Sequence, residues 1–431
     1  MRQGVAMWNV VNILGAALVA FGALLGAPLP AAAADAKTTI TYWTFLPFGG
    51  TRPREAGETK IIESFQKENP NIAVKVEVLP WNELHTKYLA AYAAGRGPDV
   101  IRVDPTQLLL HVKANTLAPL DGYVKEWSSA ETADFFNWDG TVVDGHRMAV
   151  SIAQNVFTLL YRKDLFDELK LTPPRTWAEF VSAAKVLTTK DRWGFAFPAS
   201  RTGSYFHVIF APLVWGAGGE VLDSKGLAAF NSEAGVKALS FLRDLVQVEK
   251  VAPPEVLSFN LQDVMQGFMA GKYAMVIEGA NRYSSIQTSD TVKGKVGIAT
   301  IPSMSGPNAA PAYSTGGWML GINAKSAHKA EAWKFIAHYD SFASQVVTAQ
   351  VAGDFPTRKS VFKQDFMKAP ANAYLGEFAE ILDKSSRGPL LTDRWSELFD
   401  SELMLAVHRV FAGEKPADVL KEVVPKFNKG G

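Results

Sequence analysis

The chain has 431 residues, of which 48% are hydrophobic and 20% are charged, so it is long enough for two compact units and too apolar to be disordered. Its 44 basic and 43 acidic residues leave a formal charge of +1, and without a broad basic surface we expect no nucleic-acid partner. The absence of cysteine excludes disulfides, thiolate metal sites, cysteine nucleophiles and a lipid-carrying amino-terminal cysteine.

The first 34 residues have the three parts of a secretory signal peptide. Arg2 precedes an apolar run at 10–29, and small residues follow at 31–34. A membrane anchor would account for the apolar run but not for the small residues at its end. We therefore expect a signal peptide at 1–34 that is cleaved after Ala34. Since no cysteine can carry a lipid, we expect the mature protein to be free in the periplasm.

The mature sequence alternates strand and helix patterns. Short apolar runs predict strands at 40–45 and 100–103, and period-two alternation predicts another at 72–78. Apolar residues at helical spacing predict helices before Pro70 and around 84–92. This order of elements indicates an α/β architecture with covered sheets.

The same order returns in the second half of the chain. Thr176 and Glu179 predict a capping box at the start of a helix, and a strand follows at 193–197. A helix at 261–270, capped by Gly271, precedes a strand at 273–277. The last 50 residues have a helical pattern. Because no long linker separates the two halves, we expect two lobes joined by short crossings with a cleft between them.

Motifs for common catalytic sites are absent. The sequence has no G-x-S-x-G elbow, no H-E-x-x-H pair and no Walker loop, and its seven histidines never occur at metal-ligand spacing. We expect no catalytic residue, no metal and no cofactor. Asp104 and Glu278 both follow predicted strands and could face one cleft. Such a pair fits a glycoside hydrolase, or it could bind sugar hydroxyls without any reaction.

Aromatic residues are abundant, with 11 Trp, 11 Tyr and 26 Phe. Trp43, Phe45, Trp215 and Trp318 lie at predicted strand ends or glycine turns. Flat rings beside planar polar groups suit the C–H faces and hydroxyl rim of a pyranose, although core packing accounts for any one ring equally well. The set as a whole indicates a carbohydrate site.

Several short motifs occur in an order that is typical of one family. They are E-N-P-N-I at 68–72, A-G-R-G-P-D-V at 94–100, L-Y-R-K-D-L-F at 160–166, P-R-T-W at 174–177, F-M-A-G-K-Y-A-M-V-I-E-G at 268–279 and G-G-W at 316–318. With these motifs the mature chain resembles the extracellular solute-binding proteins of ABC transporters, the family that includes maltose-binding protein.

The resemblance implies a two-lobed periplasmic-binding-protein fold of type II, an α/β fold with mixed sheets and a central cleft. It implies hinge crossings near 152–155, 296–302 and 339–342. The amino-terminal lobe would then comprise 35–151 and 298–340, and the carboxy-terminal lobe 152–297 and 341–431.

The resemblance also implies a function. The protein would bind a mono- or oligosaccharide as a monomer without turning it over, and would deliver it to membrane permease subunits driven by a cytoplasmic ATPase. Ligand contacts carried over from the family, together with the aromatic candidates, give the predicted site: Trp43, Phe45, Asp104, Asn155, Trp215, Glu278, Asn281, Gly317 and Trp318. A ligand touching both lobes would close the hinge.

Two departures from the maltodextrin-binding members leave the ligand open. Asn281 stands where those proteins have a stacking tryptophan, and the first loop contains Arg52 and Arg54. Two arginines could bind an anionic ligand such as glycerol phosphate, or they could simply be solvated.

Overall fold

Two mixed β-sheets organise the part of the chain that the computed structural model describes, which is residues 37–202, 205–304 and 310–430. The predicted signal peptide at 1–34 and its cleavage point lie outside the described residues. We call the first sheet with its helices the first lobe and the second sheet with its helices the second lobe.

The first sheet consists of β1 (Thr38–Thr44), β2 (Ile72–Val78), β3 (Val100–Val103), β6 (Val150–Ser151) and β12 (Met319–Ile322). Their order across the sheet is β2-β1-β3-β12-β6. β1 is parallel to β2 and β3, whereas β12 is antiparallel to β3 and β6. The carboxyl ends of β1, β3 and β6 and the amino end of β12 therefore lie along one edge.

The second sheet consists of β7 (Val156–Arg162), β8 (Trp193–Ala196), β9 (Tyr273–Gly279), β10 (Val296–Ala299), β11 (Ala312–Ser314) and β13 (Ser386–Arg387). Their order across the sheet is β13-β11-β7-β9-β8, with β10 also paired to β7. β7 is antiparallel to β9, β10 and β11, and β8 is parallel to β9. A separate two-stranded ribbon pairs β4 (Val142–Val143) with β5 (His146–Arg147).

Helices cover both faces of each sheet. Those of the first lobe are α1 (Pro53–Glu68), α2 (Leu84–Ala93), α3 (Leu108–Lys113), α4 (Asp121–Val124), α5 (Ser129–Ala133) and α12 (Lys329–Tyr339). Those of the second lobe are α6 (Lys163–Glu168), α7 (Trp177–Leu187), α8 (His207–Gly216), α9 (Glu233–Gln247), α10 (Leu261–Met269), α11 (Ala280–Ile286), α14 (Ala373–Ser385), α15 (Leu403–Phe411) and α16 (Pro416–Lys429). α13 (Phe342–Gln350) packs on α1. A π-helical segment occupies Ser396–Glu402.

Each sheet has a hydrophobic core on either side because its strands are covered on both faces. In the first lobe, Tyr42 packs with Phe335 on one face, and Ile101 packs with Leu84 and Tyr88 on the other. The second lobe has larger cores, one centred on α7, α8 and α9 and the other on α10, α11 and α14. No helix in the described ranges combines the length and apolarity that a membrane span requires.

Most of the predicted elements are confirmed. β2 and β3 have the predicted bounds, and β1, α10 and β9 lie within one or two residues of them. Gly271 has a φ of +77°, as expected for a glycine that ends a helix. The capping box of α7 is half formed, because Thr176 accepts the Glu179 N–H but the Glu179 carboxylate accepts the N–H of Arg175.

Strand pairing shows that the predicted position of the second crossing is wrong. The resemblance placed it near 296–302, but β10 and β11 both pair with β7 and therefore belong to the second sheet. The chain returns to the first sheet only between Ser314 and Met319. Segment 298–314 is thus part of the second lobe and not of the first. The periodicity of a short strand does not reveal which sheet it joins.

The carboxy-terminal segment also differs from prediction, since it is not helical throughout. After α14 the chain enters β13, which pairs with β11, and then continues without regular secondary structure through Gly388 and Pro389 to Thr392. Gly388 has a φ of +127°, and a Cβ atom there would lie 2.2 Å from the carbonyl oxygen of Ser314. This contact between backbones requires glycine.

Candidate functional site

The strand ends of the two sheets meet at two short links. The chain passes from β6 to β7 through residues 152–155 and from β11 to β12 through residues 315–318. At the first sheet, Phe45 and Asp104 follow adjacent parallel strands, and Trp318 precedes β12, whose Met319 pairs with Val103. At the second sheet, Asn155 precedes β7 directly opposite the end of β9. The topology therefore gathers most of the predicted site at one place.

Asp104 is held firmly at the end of β3. Its Oδ1 accepts hydrogen bonds from the N–H of Thr106 at 2.9 Å and from the hydroxyl of Thr106 at 2.7 Å. Its Oδ2 accepts the Tyr205 hydroxyl at 3.3 Å. Burial raises the pKa of the Asp104 carboxyl above its ordinary value, and the hydrogen bonds from Thr106 and Tyr205 oppose this rise.

Tyr205 brings the second lobe to Asp104. It lies between β8 and α8 with a φ of +53°, a backbone conformation that non-glycine residues rarely adopt. Its ring is 5.9 Å from that of Trp81, in the loop between β2 and α2. The Trp81 side chain is 46% exposed, so a large apolar surface is open beside the contact between the lobes. Tyr205 therefore touches two loops of the first lobe.

Asn155, Glu278 and Asn281 come together around Gly279. The Asn155 side-chain oxygen accepts the backbone N–H of Asn281 at 3.2 Å, and a Cβ atom on Gly279 would lie 2.9 Å from that oxygen. Glu278 lies within β9, opposite Thr158 of β7, and does not follow the strand as predicted. Three predicted residues are thus neighbours at the first link.

Glu278 is fully buried in this group. Its Oε1 accepts the Gly279 N–H at 2.9 Å and lies 3.7 Å from Nε of Arg282. Its Oε2 has no hydrogen-bond partner among the described residues, and neither does Oδ1 of Asn281. Burial raises the pKa of the Glu278 carboxyl, while Arg282 and the Gly279 N–H act to lower it. Buried acceptors without a protein partner are uncommon, and water or a bound ligand can supply the missing donor.

Phe45 and Trp318 form an aromatic pair on the first lobe. Their ring centroids are 4.6 Å apart, and the guanidinium of Arg102 lies 5.3 Å from the Phe45 ring. Gly317, with a φ of +68°, packs directly against Ala153 of the other link. The structure therefore brings these three predicted residues together as well.

Trp43 is engaged elsewhere in the first lobe. Its indole N–H donates to Oε2 of Glu77 on the adjacent β2 at 2.7 Å, and its ring lies edge-on to Tyr88 of α2 at 6.4 Å. The Trp43 ring thus packs between the sheet and α2. Because its N–H already donates to Glu77, the indole nitrogen is not free for a ligand.

Trp215 lies in the last turn of α8 and is 7% exposed. Its ring stacks on Tyr313 at 5.9 Å, with the Arg387 guanidinium 4.8 Å from its centre. Arg387 also pairs with Glu220 at 2.8 Å. Trp215 thus stands mainly in the second-lobe core, although its buried indole nitrogen has no hydrogen-bond partner in the described ranges.

The two arginines predicted in the first loop lie instead at the start of α1, and both are paired with carboxylates. Arg52 is the N-cap residue of α1 and forms an ion pair with Glu55. Arg54 Nε donates to Oδ2 of Asp354 at 2.8 Å, so it links α1 to the segment after α13. Nη2 of Arg54 is buried without a hydrogen-bond partner among the described residues, whereas the Arg52 side chain is largely exposed.

The sequence profile of the bacterial extracellular solute-binding proteins matches residues 49–345. The chain belongs to this family. This solute-binding protein is 26% identical over 411 residues to a binding protein of Brucella abortus (strain 2308), covering 94% of this chain and 96% of that one. It is 27% identical over 239 residues to an ABC transporter-binding protein of Deinococcus radiodurans, covering 53% of this chain and 55% of that one.

Solved structures of solute-binding proteins are also similar to this chain. Maltose-bound MalE3 of T. maritima is 27% identical and has a TM-score of 0.79, covering 91% of this chain and 100% of its own. A solute-binding protein of Agrobacterium radiobacter K84 in complex with ribitol is 27% identical, with a TM-score of 0.76 and coverage of 91% and 99%. The solute-binding protein therefore has the predicted two-lobed α/β fold. Its family implies a small-molecule ligand, permease partners and a periplasmic or extracellular location.

Sequence reasoning missed Tyr205 and Trp81 in this solute-binding protein. A usable signal existed for Tyr205, since it lies in the loop that follows β8, and ligands of α/β sheets collect beyond the carboxyl ends of strands. Trp81 lies in the loop after the edge strand β2. Because a loop has no regular hydrophobic period, the sequence pattern does not reveal that this residue is exposed. Only their contact in the folded protein shows that the two residues belong to one site.

The different surroundings of Trp43 and Trp318 lead to a testable contrast. We expect Trp43→Ala to lower the free energy of unfolding by about 2–4 kcal/mol, because it removes the contacts with Tyr88 and Glu77. We expect Trp318→Ala to weaken ligand binding by roughly 1–3 kcal/mol with less effect on stability. Urea unfolding and titration calorimetry on both variants measure the two quantities. A loss of affinity confined to Trp43→Ala would contradict this division.

Proposed function

We propose that the protein binds a neutral carbohydrate or polyol between its lobes and delivers it to the permease of an ABC importer. The observation that carries this proposal is the meeting of Asp104 with Tyr205 beside the exposed ring of Trp81. One carboxylate, one phenol and one indole, drawn from both lobes, are the groups that a sugar ring requires.

The unpartnered polar atoms of the second lobe support a ligand rich in hydroxyl groups. Glu278 Oε2 and Asn281 Oδ1 are buried acceptors without donors in the described part of the chain. A sugar hydroxyl donates to one such acceptor while its own oxygen accepts from another group. The maltose and ribitol complexes of the two related structures bind ligands of this chemistry.

The charges of the site favour a neutral ligand over an anionic one. Asp104 and Glu278 contribute carboxylates, and Arg282 is shared between Glu278 and Gln262. Arg52 and Arg54 are already paired with Glu55 and Asp354. These pairs already neutralise part of the positive charge that glycerol phosphate would need, so that alternative has less support than a neutral ligand.

Delivery of the ligand follows from the same two-lobed arrangement. We propose that the protein acts as a monomer in the periplasm after removal of residues 1–34, and that it binds without catalysis. A ligand that contacts Asp104 on one lobe and Glu278 on the other would stabilise the closed arrangement by its differential affinity. The permease, driven by a cytoplasmic ATPase, would then distinguish the loaded form from the empty one.

Titration calorimetry tests this function. Glucose, maltose, maltotriose, ribitol and glycerol 3-phosphate would each be titrated into the mature protein, with product analysis after incubation. We expect binding of at least one neutral compound, and we expect Asp104→Asn to weaken it about 10- to 100-fold, the range for one charge-assisted hydrogen bond.

A surface carboxylate provides the control. Asp365 pairs with Lys368 and its side chain is 95% exposed, so Asp365→Asn should leave affinity unchanged. Tight binding of glycerol 3-phosphate alone would contradict the neutral ligand, and sugar hydrolysis that depends on Asp104 or Glu278 would favour the glycoside hydrolase.

A further inference from the structure

Two histidines lie behind Asp104 in the first lobe. Nδ1 of His85, on α2, is 2.8 Å from Nε2 of His111, on α3. The backbone nitrogen of Asp104 is 3.2 Å from Nε2 of His85, and Nδ1 of His111 is 3.1 Å from Oγ1 of Thr116. This row of hydrogen bonds joins the proposed ligand site to the interior of the lobe.

The backbone N–H of Asp104 fixes which atom donates in every hydrogen bond of the row. A backbone N–H can only donate, so Asp104 donates to Nε2 of His85, and the neutral His85 ring must carry its proton on Nδ1. Nδ1–H then donates to Nε2 of His111, which carries its own proton on Nδ1 and donates to Thr116. The Thr116 hydroxyl donates to the His111 carbonyl oxygen at 3.2 Å. The row is complete only while both rings are neutral.

The surroundings of the pair keep it neutral. Burial lowers the pKa of His85 to about 4 and lowers the pKa of His111 well below its ordinary value. The titratable groups that face the pair are Tyr88 of α2, whose hydroxyl donates to the Thr116 carbonyl oxygen at 2.7 Å, and Asp104, whose carboxylate is turned toward Thr106 and Tyr205. An added proton on either ring would therefore break the row without gaining a counter-ion from these groups.

His85 also joins the two loops that contact Tyr205. It lies in the first turn of α2, directly after the loop that contains Trp81, and its Nε2 accepts from the loop that begins at Asp104. Tyr205 contacts the Trp81 ring from one of these loops and the Asp104 carboxylate from the other. The spacing between the two contacts thus depends on the His85 bond.

We propose that His85, supported by His111, is a positioning residue for Asp104 and Trp81, and that protonation of the pair weakens ligand binding in acid. This proposal rests on the proposed function, since it takes Asp104 and Trp81 to contact the ligand. Because binding requires the neutral ring, affinity is independent of this titration while the pH is well above the folded-state pKa of about 4, and it falls as the pH drops through that value.

Nuclear magnetic resonance tests the hydrogen-bond row without any ligand. In long-range ¹H–¹⁵N spectra of the imidazole rings at pH 7, we expect both His85 and His111 to be neutral with the proton on Nδ1. A proton on Nε2 of either ring, or a charged ring, would overturn the proposed row.

Two substitutions of His85 test the positioning role with maltose and ribitol as probes. Glutamine places a neutral acceptor near the position of Nε2, whereas leucine offers none. At pH 7 we expect His85→Leu to weaken binding at least tenfold and His85→Gln to stay within about threefold of the wild type. Between pH 7 and pH 3.5 the wild type should lose about fourfold more affinity than His85→Gln, as expected for a group with a pKa of about 4 that must be neutral for binding.

His146→Gln is the matched control, since its side chain is 65% exposed and pairs with Asp121 on the surface. It should keep the wild-type pH profile. If the wild type binds neither probe nor the other neutral compounds, the proposed function fails. If the wild type binds but His85→Leu binds equally well at pH 7, the positioning role alone is overturned.

Discussion

Replacement of Arg102 by methionine is expected to lower the free energy of unfolding by about 3–5 kcal/mol. Arg102 and Glu58 are each 2% exposed, and they form an ion pair between β3 and α1. Arg102 also donates to the hydroxyls of Tyr42 at 3.0 Å and of Tyr339 at 3.1 Å. The substitution leaves the Glu58 carboxylate buried without its cation, which is the costly outcome. Chemical unfolding monitored by circular dichroism gives the change.

A second substitution separates the buried charge from the lost packing. In Glu58→Gln/Arg102→Met the unpaired charge is gone, so we expect most of the stability to return. Lys384→Met, which breaks an exposed pair with Glu380, should leave the unfolding transition nearly unchanged. A double variant as unstable as Arg102→Met would show that packing of the guanidinium, and not its charge, stabilises α1 on the sheet.

Gly317→Ala is expected to lower the free energy of unfolding by roughly 3–5 kcal/mol and also to weaken ligand binding. Gly317 lies on the link between β11 and β12 with a φ of +68°. A Cβ atom there would stand 1.5 Å from the carbonyl oxygen of Ala153, on the link between β6 and β7. The two links must therefore move apart, and with them the strand ends that hold Asp104 and Asn155. Unfolding and calorimetry on the same preparation measure both effects.

The neighbouring glycine is a matched control for this substitution. Gly316 has a φ of +75°, but a Cβ atom there would lie 3.5 Å from its nearest neighbour, the methyl group of Met319. Gly316→Ala should therefore cost only the backbone term, about 1–2 kcal/mol. Equal effects of the two variants would mean that the left-handed backbone alone accounts for the loss and that contact between the links contributes nothing.

The elements that local sequence determined are those with strong periodic patterns. The apolar run of β3 and the alternation of β2 set their own bounds, because side-chain burial within a strand follows its period of two. The helix α10, its glycine cap and β9 follow from signals that are adjacent in the chain. The ordered motifs then identified the family, which the profile match confirms.

The predictions that failed concern short segments with weak patterns. β10 and β11 have four and three residues, and whether they join the first or the second sheet depends on β7, which lies far away in the sequence. β13 has two residues in a region where helical signals dominate on both sides. Hydrogen bonds to a distant strand decide such segments, and no local pattern records them.

The sequence by itself determined the alternation of strands and helices, the family and part of the candidate site, but not Tyr205 or Trp81. The tertiary structure alone decided which side chains meet. Tyr205 donates a hydrogen bond to Asp104, which is 101 residues away in the sequence. The Trp43 indole N–H donates instead to Glu77 on an adjacent strand. Each side chain offers the same donors and rings wherever it lies, so its role depends on the partners that sheet register and the short links bring within hydrogen-bonding distance.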